Sequence, residues 1–353
     1  MVQVLPNGNS RLAAGLVTPM RTLPIVLALT LVALLGARFV SAAPPLQEIE
    51  RIELTGVKGR IDHMAVDIVG KRLFVAALGN NTVEVIDLAH HRVVKSLTGF
   101  AEPQGVLLLP EQKRLLVTNG ETKVTHIFDS ETLAPRGKIE LKEDADNVRY
   151  DARTKEIYIG CGSGRDSAVA VIDATDIQSN VQYIALSGHP ESFQLERSGK
   201  RIFVNVPTSG KVEVIDRERG EVVASWAISE QANFPMALDE AHHRVFIGTR
   251  KPAKLLVLDT ETGKLVANLA SVGDADDIFY LAETGRIYVS GGEGFVYIFQ
   301  QQDPDRYILL DKIATDKGAR TSLYVPEWNQ LYVAVPNSSA SAAHIRVFRI
   351  GDR

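Results

Sequence analysis

A strand-like motif that ends in aspartate recurs every 42 to 44 residues through the middle of the chain. Its five full copies end at Asp87, Asp129, Asp173, Asp216 and Asp259, and two weaker copies end at Gln300 and Arg349. A second landmark, a short strand of the type Arg-Leu-Phe-Val, has seven copies in phase with the first, which start at Leu73, Leu115, Ile157, Ile202, Val245, Ile287 and Leu331. A period of about 40–45 residues with several short strands per unit is typical of a β-propeller. The sequence therefore predicts an all-β fold, a seven-bladed β-propeller.

Each repeat is interpreted as a blade of four strands. In the first repeat these strands are predicted, from the innermost outward, at residues 63–66, 73–77, 82–88 and 92–97. Their β-branched and apolar residues suit sheets that are covered on both faces. The repeated aspartate ends the third strand, where its carboxylate is expected to accept hydrogen bonds from backbone N–H groups of the next turn.

The last repeat has only three predicted strands, at residues 322–325, 331–335 and 344–350. A further strand is predicted near the N-terminus, at residues 48–55. If this N-terminal strand completes the last blade, the ring closes and two exposed sheet edges disappear. We therefore expect ring closure by the N-terminal strand.

The N-terminus has the pattern of a secretory signal peptide. A predominantly apolar run follows Arg21, and small residues follow that run at Ser41, Ala42 and Ala43. This predicts a signal peptide over residues 1–43, with Met20 as an alternative start, and a single propeller domain over residues 44–353. The protein is expected to be periplasmic or secreted, with no membrane span after cleavage. The only cysteine, Cys161, excludes an internal disulfide and is expected to pack in a second strand.

The charge distribution bears on the class of partner. The chain has 39 Lys and Arg residues against 43 Asp and Glu residues, with both signs interspersed, and its net charge is −4. Nucleic-acid binding requires a concentrated basic surface, so no nucleic-acid partner is expected. The partner is predicted to be a small molecule or a protein, and the chain is expected to be a monomer.

The repeats also carry a resemblance to a known family. The segments Leu-Phe-Val-Ala-Ala-Leu-Gly-Asn-Asn-Thr-Val-Glu-Val-Ile-Asp (residues 73–87) and Leu-Leu-Val-Thr-Asn-Gly (residues 115–120) resemble the bacterial YVTN-type repeat. Across all seven repeats the chain resembles the YncE-like family of secreted seven-bladed propellers, within the wider group of WD40- and YVTN-like repeats. The resemblance implies the fold and no particular function, because related propellers include binding proteins, lactonases, lyases and dehydrogenase subunits.

Polar residues gather where the innermost strands begin. When the seven repeats are aligned, these entrances hold a different polar set in each blade, and in a propeller they converge at one mouth of the central channel. The residues predicted to bind a ligand at this mouth are Asp62, His63, Gln104, Asp146, Asn147, His189, Glu191, Asp276, Asp277 and Arg320.

The carboxylates at this mouth indicate a possible cation site. Several carboxylates around one axis repel one another unless a cation, an arginine or protons compensate. Asp146, Asn147, Glu191 and Asp276 are the predicted ligands of a divalent cation, with oxygen donors favouring Ca²⁺ or Mg²⁺ and nearby histidines favouring a metal such as Zn²⁺. The alternative is that these groups cap strand ends and bond to one another and to water in the channel.

Three classes of function therefore remain open. The first is a binding protein that holds a small ligand or a protein partner at the mouth. The second is a metal-dependent enzyme of the lactonase or lyase type, in which His63 or His189 moves a proton. The third is a scaffold with no small-molecule site. The chain has neither a Gly-x-Ser-x-Gly motif nor a Cys-x-x-Cys-His motif, so serine hydrolases and c-type cytochromes gain no support.

Overall fold

Every blade in the computed structural model, which describes residues 44–351, is a four-stranded antiparallel sheet. Blade 1 comprises β2 (Met64–Asp67), β3 (Arg72–Ala77), β4 (Thr82–Asp87) and β5 (Arg92–Leu97). Blade 2 comprises β6 (Pro103–Leu109), β7 (Arg114–Asn119), β8 (Val124–Asp129) and β9 (Pro135–Glu140). Blade 3 comprises β10 (Ala145–Asp151), β11 (Glu156–Cys161), β12 (Ala168–Asp173) and β13 (Gln182–Ala185). Blade 4 comprises β14 (Phe193–Leu195), β15 (Arg201–Val206), β16 (Lys211–Asp216) and β17 (Glu221–Ala227).

The remaining blades follow the same order. Blade 5 comprises β18 (Gln231–Asp239), β19 (Arg244–Lys251), β20 (Ala253–Asp259) and β21 (Leu265–Ala270). Blade 6 comprises β22 (Ala275–Leu281), β23 (Arg286–Gly291), β24 (Phe295–Asp303) and β25 (Arg306–Ala314). Blade 7 comprises β26 (Ser322–Val325), β27 (Gln330–Val335), β28 (His344–Ile350) and the N-terminal strand β1 (Leu46–Glu53). Single 3₁₀ turns lie at Leu78–Asn80, Gly164–Asp166, Pro207–Ser209 and Pro326–Trp328. The predicted seven-bladed propeller is therefore confirmed.

The ring closes as the sequence predicts. Strand β1 pairs with β28 in antiparallel register from Leu46 opposite Ile350 to Glu53 opposite His344, with one irregularity near Glu48. The predicted strand at residues 48–55 begins and ends two residues later than the strand in the structure. The signal peptide predicted over residues 1–43 lies outside the described residues. Within the described residues, no helix combines the length and the apolar character that a bilayer span requires.

The turns after the third strands explain the repeated aspartates. Asp129 Oδ1 accepts hydrogen bonds from the backbone N–H groups of Glu131 at 2.9 Å and Thr132 at 2.7 Å. Asp87 makes the same pair of contacts with Ala89 and His90 in blade 1. The aspartate therefore fixes the turn conformation, as the sequence predicts.

The blades pack face to face through apolar side chains and are joined at one end by a recurring arginine. In five blades the second strand begins with this arginine, and its guanidinium donates to the carbonyl just after the third strand of the next blade. The five pairs are Arg72 with Ser130 at 2.7 Å, Arg114 with Ala174 at 2.7 Å, Arg201 with Thr260 at 2.7 Å, Arg244 with Pro304 at 2.9 Å and Arg286 with Gly351 at 2.9 Å. We call this contact the arginine clamp.

The two other blades depart from the clamp. Blade 3 has Glu156 at the clamp position, and there Arg217 of blade 4 reaches back to Asp151 of blade 3, so the donor has changed sides. Blade 7 has Gln330 at the clamp position, facing Leu88 of blade 1. The clamp therefore serves five junctions and its reversed form a sixth.

Replacing Arg201 by Met is expected to lower the free energy of unfolding by about 1–3 kcal/mol, because the carbonyl of Thr260 and the buried carboxylate of Glu196 both lose a charged donor. The matched control is Arg306→Met, because the Arg306 side chain is 73% exposed and, in the part of the chain that the structure describes, forms an ion pair only with Asp303. Chemical denaturation measures both variants. Equal, small effects in the two variants would contradict a stabilising role for the clamp.

Candidate functional site

Bulges at the entrances of the innermost strands orient the polar residues. The pairing of β10 with β11 shifts register between Ala145 and Val148, and the pairing of β22 with β23 shifts between Ala275 and Asp277. In blade 1, Ala76 bonds through its carbonyl to Asp62 and through its N–H to His63, so two consecutive residues face one. Neighbouring residues in a regular strand point to opposite faces, but a bulge redirects them. This is how adjacent side chains such as Asp62 and His63 both take part in the mouth.

At the position equivalent to Asp146, blade 2 has Gly105 instead of a charged residue, for a steric reason. A Cβ atom on Gly105 would lie 2.3 Å from the carbonyl oxygen of Asp146 in blade 3. That carbonyl also accepts a hydrogen bond from Thr118 Oγ1 at 2.7 Å, and Thr118 in turn accepts from the N–H of Gly105. The backbone that carries Asp146 is therefore held against blade 2, and only glycine fits at position 105.

The histidine of blade 1 lies among carboxylates from different blades. His63 Nε2 is 3.8 Å from Asp62 Oδ1 and 3.7 Å from Asp146 Oδ1, and the His63 side chain is only 20% exposed. Burial alone would lower the pKa of His63, but Asp62, Asp277 and Asp146 together raise it. The neighbouring carboxylates therefore outweigh the effect of burial on the pKa of His63.

Three side chains from blades 3 and 4 form a set with metal-ligand geometry. Donor atoms of Asp146, His189 and Glu191 all lie within 4.8 Å of one another. His189 Nδ1 is 2.6 Å from the carbonyl oxygen of Gly162, which only accepts, so Nδ1 carries the proton and Nε2 keeps its lone pair when the ring is neutral. Metal-binding histidines commonly have such an outer hydrogen bond. We refer to Asp146, His189 and Glu191 as the triad.

The carboxylates of the triad are held in an unfavourable environment. The pKa of Asp146 is raised to about 6, first by burial and then by nearby carboxylates, while His63 and His189 act in the opposite direction. The pKa of Glu191 is raised well above its usual value by burial and by the carboxylates of Asp146 and Asp276. Asp146 is 9% exposed, and its Oδ1 is buried without a hydrogen-bond partner. A cation placed between these carboxylates would relieve both the repulsion and the missing contact.

Arginines pair with two of the three carboxylates at the entrance of blade 6. Arg250 of blade 5 pairs with Asp276 Oδ1 at 2.5 Å and stacks 3.8 Å from the ring centroid of Phe234. Arg320 of blade 7 donates to both carboxylate oxygens of Asp274 at 2.9 Å and lies 3.2 Å from Asp276 Oδ2. This side of the mouth is therefore an ion-pair network, although burial still raises the pKa of Asp276 and its Oδ2 makes no hydrogen bond.

The structure brings only some of the predicted site residues together. It brings together Asp62, His63, Asp146, His189 and Glu191, whose mutual contacts are given above. Of the four predicted metal ligands, it groups Asp146 with Glu191 and adds His189 in place of the other two. Asp276 is paired with arginines.

Three further predicted residues have contacts of other kinds. Asn147 Oδ1 accepts from Arg149 Nη2 at 3.3 Å, and Asp277 Oδ2 accepts from the backbone N–H of Ser322 at 2.7 Å. The side-chain amide of Gln104 packs against Gly120 within its own blade, and none of the hydrogen bonds among the described residues ties it to the triad.

Sequence reasoning missed Arg250 and Arg149. A signal for Arg250 was present: when the second strands are aligned, the sixth position reads Leu78, Gly120, Gly162, Pro207, Arg250, Gly292 and Pro336, with one charged residue among seven. Arg149 lies within β10, near Asp146 and Asp277, and burial lowers its pKa despite these two carboxylates. Neither residue stands at the entrance of an innermost strand, because Arg250 lies in a second strand and Arg149 lies further along β10.

Replacing Asp277 by Asn is expected to stabilise the protein at neutral pH. Burial raises the pKa of Asp277 from 3.8 to about 6, so ionisation costs stability as pH rises through this interval. The variant should therefore be about 1–3 kcal/mol more stable than the wild type at pH 7.5 and equal to it near pH 3.5. Denaturation at a series of pH values measures the difference. A difference in stability that stays the same at every pH would contradict a raised pKa for Asp277.

Comparisons with known proteins agree on the fold. No family model matches the sequence, and no curated protein matches it either. Hydrazine synthase from Kuenenia stuttgartiensis is similar in structure with a TM-score of 0.68 and 18% identity, over 84% of this chain and 98% of that one. The β-propeller domain of Cps50 (Swd1) from Myceliophteria thermophila is similar with a TM-score of 0.66 and 11% identity, over 87% of this chain and all of that one. Likeness at such identity shows the fold alone. The resemblance to the YncE-like family stays a prediction.

Proposed function

We propose that this chain is a binding propeller that holds a divalent transition-metal ion in the triad at the channel mouth. The observation that carries the proposal is the buried Asp146 Oδ1, which lacks a hydrogen-bond partner although donor atoms of His189 and Glu191 lie within 4.8 Å of Asp146. Buried polar atoms are nearly always satisfied, and His63 Nε2, at 3.7 Å, lies too far from this oxygen for a hydrogen bond. An oxygen so placed beside two other ligand groups favours a cation between them. The contact of His189 Nδ1 with the Gly162 carbonyl leaves Nε2 as the nitrogen available for that ion.

The donor set also favours a class of metal. One imidazole with two carboxylates suits Zn²⁺, Mn²⁺ or Fe²⁺, whereas Ca²⁺ and Mg²⁺ prefer oxygen donors alone. Three protein ligands leave at least one coordination position for water or for a bound molecule. We therefore propose that a small ligand with a donor atom reaches the ion from the channel mouth.

Isothermal titration of chelator-treated protein tests the metal site. We expect one equivalent of Zn²⁺ or Mn²⁺ to bind, with Ca²⁺ and Mg²⁺ at least about tenfold weaker, and the melting temperature to rise because the ion binds only the folded state. The matched control is Asp274→Asn, which changes a mouth carboxylate paired with Arg320 and leaves the triad intact. If none of these ions binds and none raises the melting temperature, the proposal is refuted.

A second candidate, metal-assisted hydrolysis or elimination, rests on His63. Its Nε2 lies 3.7 Å from Asp146 Oδ1, and nearby carboxylates raise its pKa, so a group able to carry a proton stands beside the proposed cation site. Such a group could donate a proton to a leaving oxygen. Assays with lactones of increasing ring size separate the two candidates. The enzyme is favoured if the wild type hydrolyses a lactone and His63→Gln loses this activity but still binds the metal.

We also propose that the protein is exported, because residues 1–43 have the pattern of a signal peptide. Fractionation of cells that express the full chain tests this. A mature protein that begins near Pro44 and leaves the cytoplasm is expected, and an uncleaved cytoplasmic chain would contradict export.

A further inference from the structure

The junction between blades 7 and 1 lacks an arginine clamp. Gln330 occupies the position where five other blades have arginine, and its Oε1 accepts a hydrogen bond from Tyr332 Oη at 2.7 Å. None of the hydrogen bonds among residues 44–351 joins the Gln330 side chain to Leu88, the residue that follows the third strand of blade 1. A shorter, neutral side chain therefore leaves space that a guanidinium fills elsewhere.

Gln330 lines a cavity of about 380 Å³ at this junction. Ile52, Val347 and Tyr332 are buried in its wall, and Leu88 and Trp328 are partly buried there. Small-molecule pockets commonly have volumes of about 300–1,000 Å³ and apolar walls with a few polar groups. The cavity falls within this range of volumes, and about half of its lining residues are polar or charged.

The charges of the cavity differ in how they are compensated. Glu50 Oε2 lies 2.9 Å from His91 Nδ1, so the acid already has a partner. Lys71 and Arg349 are exposed, and neither takes part in any ion pair among the described residues. Two uncompensated cations beside an apolar wall complement a molecule with an anionic head and an apolar body.

We propose that this cavity, which we call the junction pocket, binds an amphipathic carboxylate. The apolar body would lie against Trp328, Leu88 and Val347, and the carboxylate would pair with Lys71 and Arg349. The pocket shares no residue with the triad, so this proposal stands apart from the metal site.

The two tryptophans of the chain give a direct readout. Trp226 lies in blade 4 and packs on Phe203, while Trp328 lines the junction pocket. In a Trp226→Phe background, emission therefore reports on Trp328 alone. Titration with decanoate is expected to give a saturable shift of this emission to shorter wavelength, as the alkyl chain excludes water from the indole. A linear response without saturation would overturn the proposal.

Variants separate the pocket from non-specific binding of the probe. Gln330→Arg, which restores the clamp residue, is expected to abolish the saturable shift, and Leu88→Phe provides a second way to fill the pocket if that variant does not fold. Lys71→Gln with Arg349→Gln should weaken decanoate binding by about fivefold and leave binding of the uncharged decanol within about twofold. Unchanged binding in both filled variants would overturn the site. Equal weakening for decanoate and decanol would overturn the role of the two cations.

Discussion

A chain that starts at residue 54, and so lacks β1, is expected to lose cooperative folding near room temperature. Strand β1 supplies the outermost strand of blade 7, and its side chains Leu46 and Ile52 are 3% and 1% exposed. Glu48 also pairs with Arg346 of the neighbouring strand. Burial of two large aliphatic side chains contributes about 3–6 kcal/mol, and the lost pairing with β28 adds to this. The sum is comparable to the total stability of about 5–15 kcal/mol that is usual for a domain.

Thermal melting and circular dichroism measure this effect. The matched control is Gln47→Ala with Glu53→Ala, which changes two exposed side chains on the same strand and should shift the melting temperature little. A peptide of residues 44–53 added in excess should restore part of the lost stability. A truncated chain that melts like the complete one would show that closure by β1 does not stabilise the ring.

Replacing Glu191 by Gln is expected to lower the affinity for Zn²⁺ or Mn²⁺ by at least about 100-fold. The substitution removes one charged ligand of the triad, and even loss of an outer-shell contact typically costs 10- to 100-fold. The same substitution should not reduce stability in the absence of metal, since burial and neighbouring carboxylates already disfavour the ionised glutamate. A true ligand therefore shows a loss of affinity without a loss of folding.

Titration calorimetry and melting curves of the same samples test this pair of effects. Asp274→Asn serves again as control and should keep the affinity within about threefold, because Asp274 is paired with Arg320 away from the triad. Equal affinities in Glu191→Gln and the wild type would place the metal elsewhere.

The fold could be predicted from the sequence because each blade repeats the same constraints. The aspartate that ends the third strand in five of the repeats fixes the turn that follows, as Asp129 does, so one blade shows a local feature that the others repeat. In blade 1 the innermost strand begins one residue later than predicted and the second strand one residue earlier. The extra residue of the second strand is Arg72, whose polar side chain belongs to the arginine clamp. Alternation of apolar residues alone gave no reason to include it.

The mouth was only partly predictable, because its geometry depends on bulges and on contacts between blades. Alignment of the innermost strands found Asp146 and Glu191, since both stand at the same level of their repeats. It did not show that Arg250 from a second strand would reach Asp276 or that Gln104 would stay within its own blade. Such contacts depend on the distance between neighbouring blades, which the period of the sequence does not contain.

Anomalous diffraction from crystals of the chelator-treated protein, soaked with Mn²⁺ or Zn²⁺, tests the central claim most directly. The account predicts one strong peak at the channel mouth, within about 2.0–2.2 Å of an oxygen of Asp146, an oxygen of Glu191 and Nε2 of His189. A mouth without a peak, or a peak that contacts none of these three side chains, would contradict it.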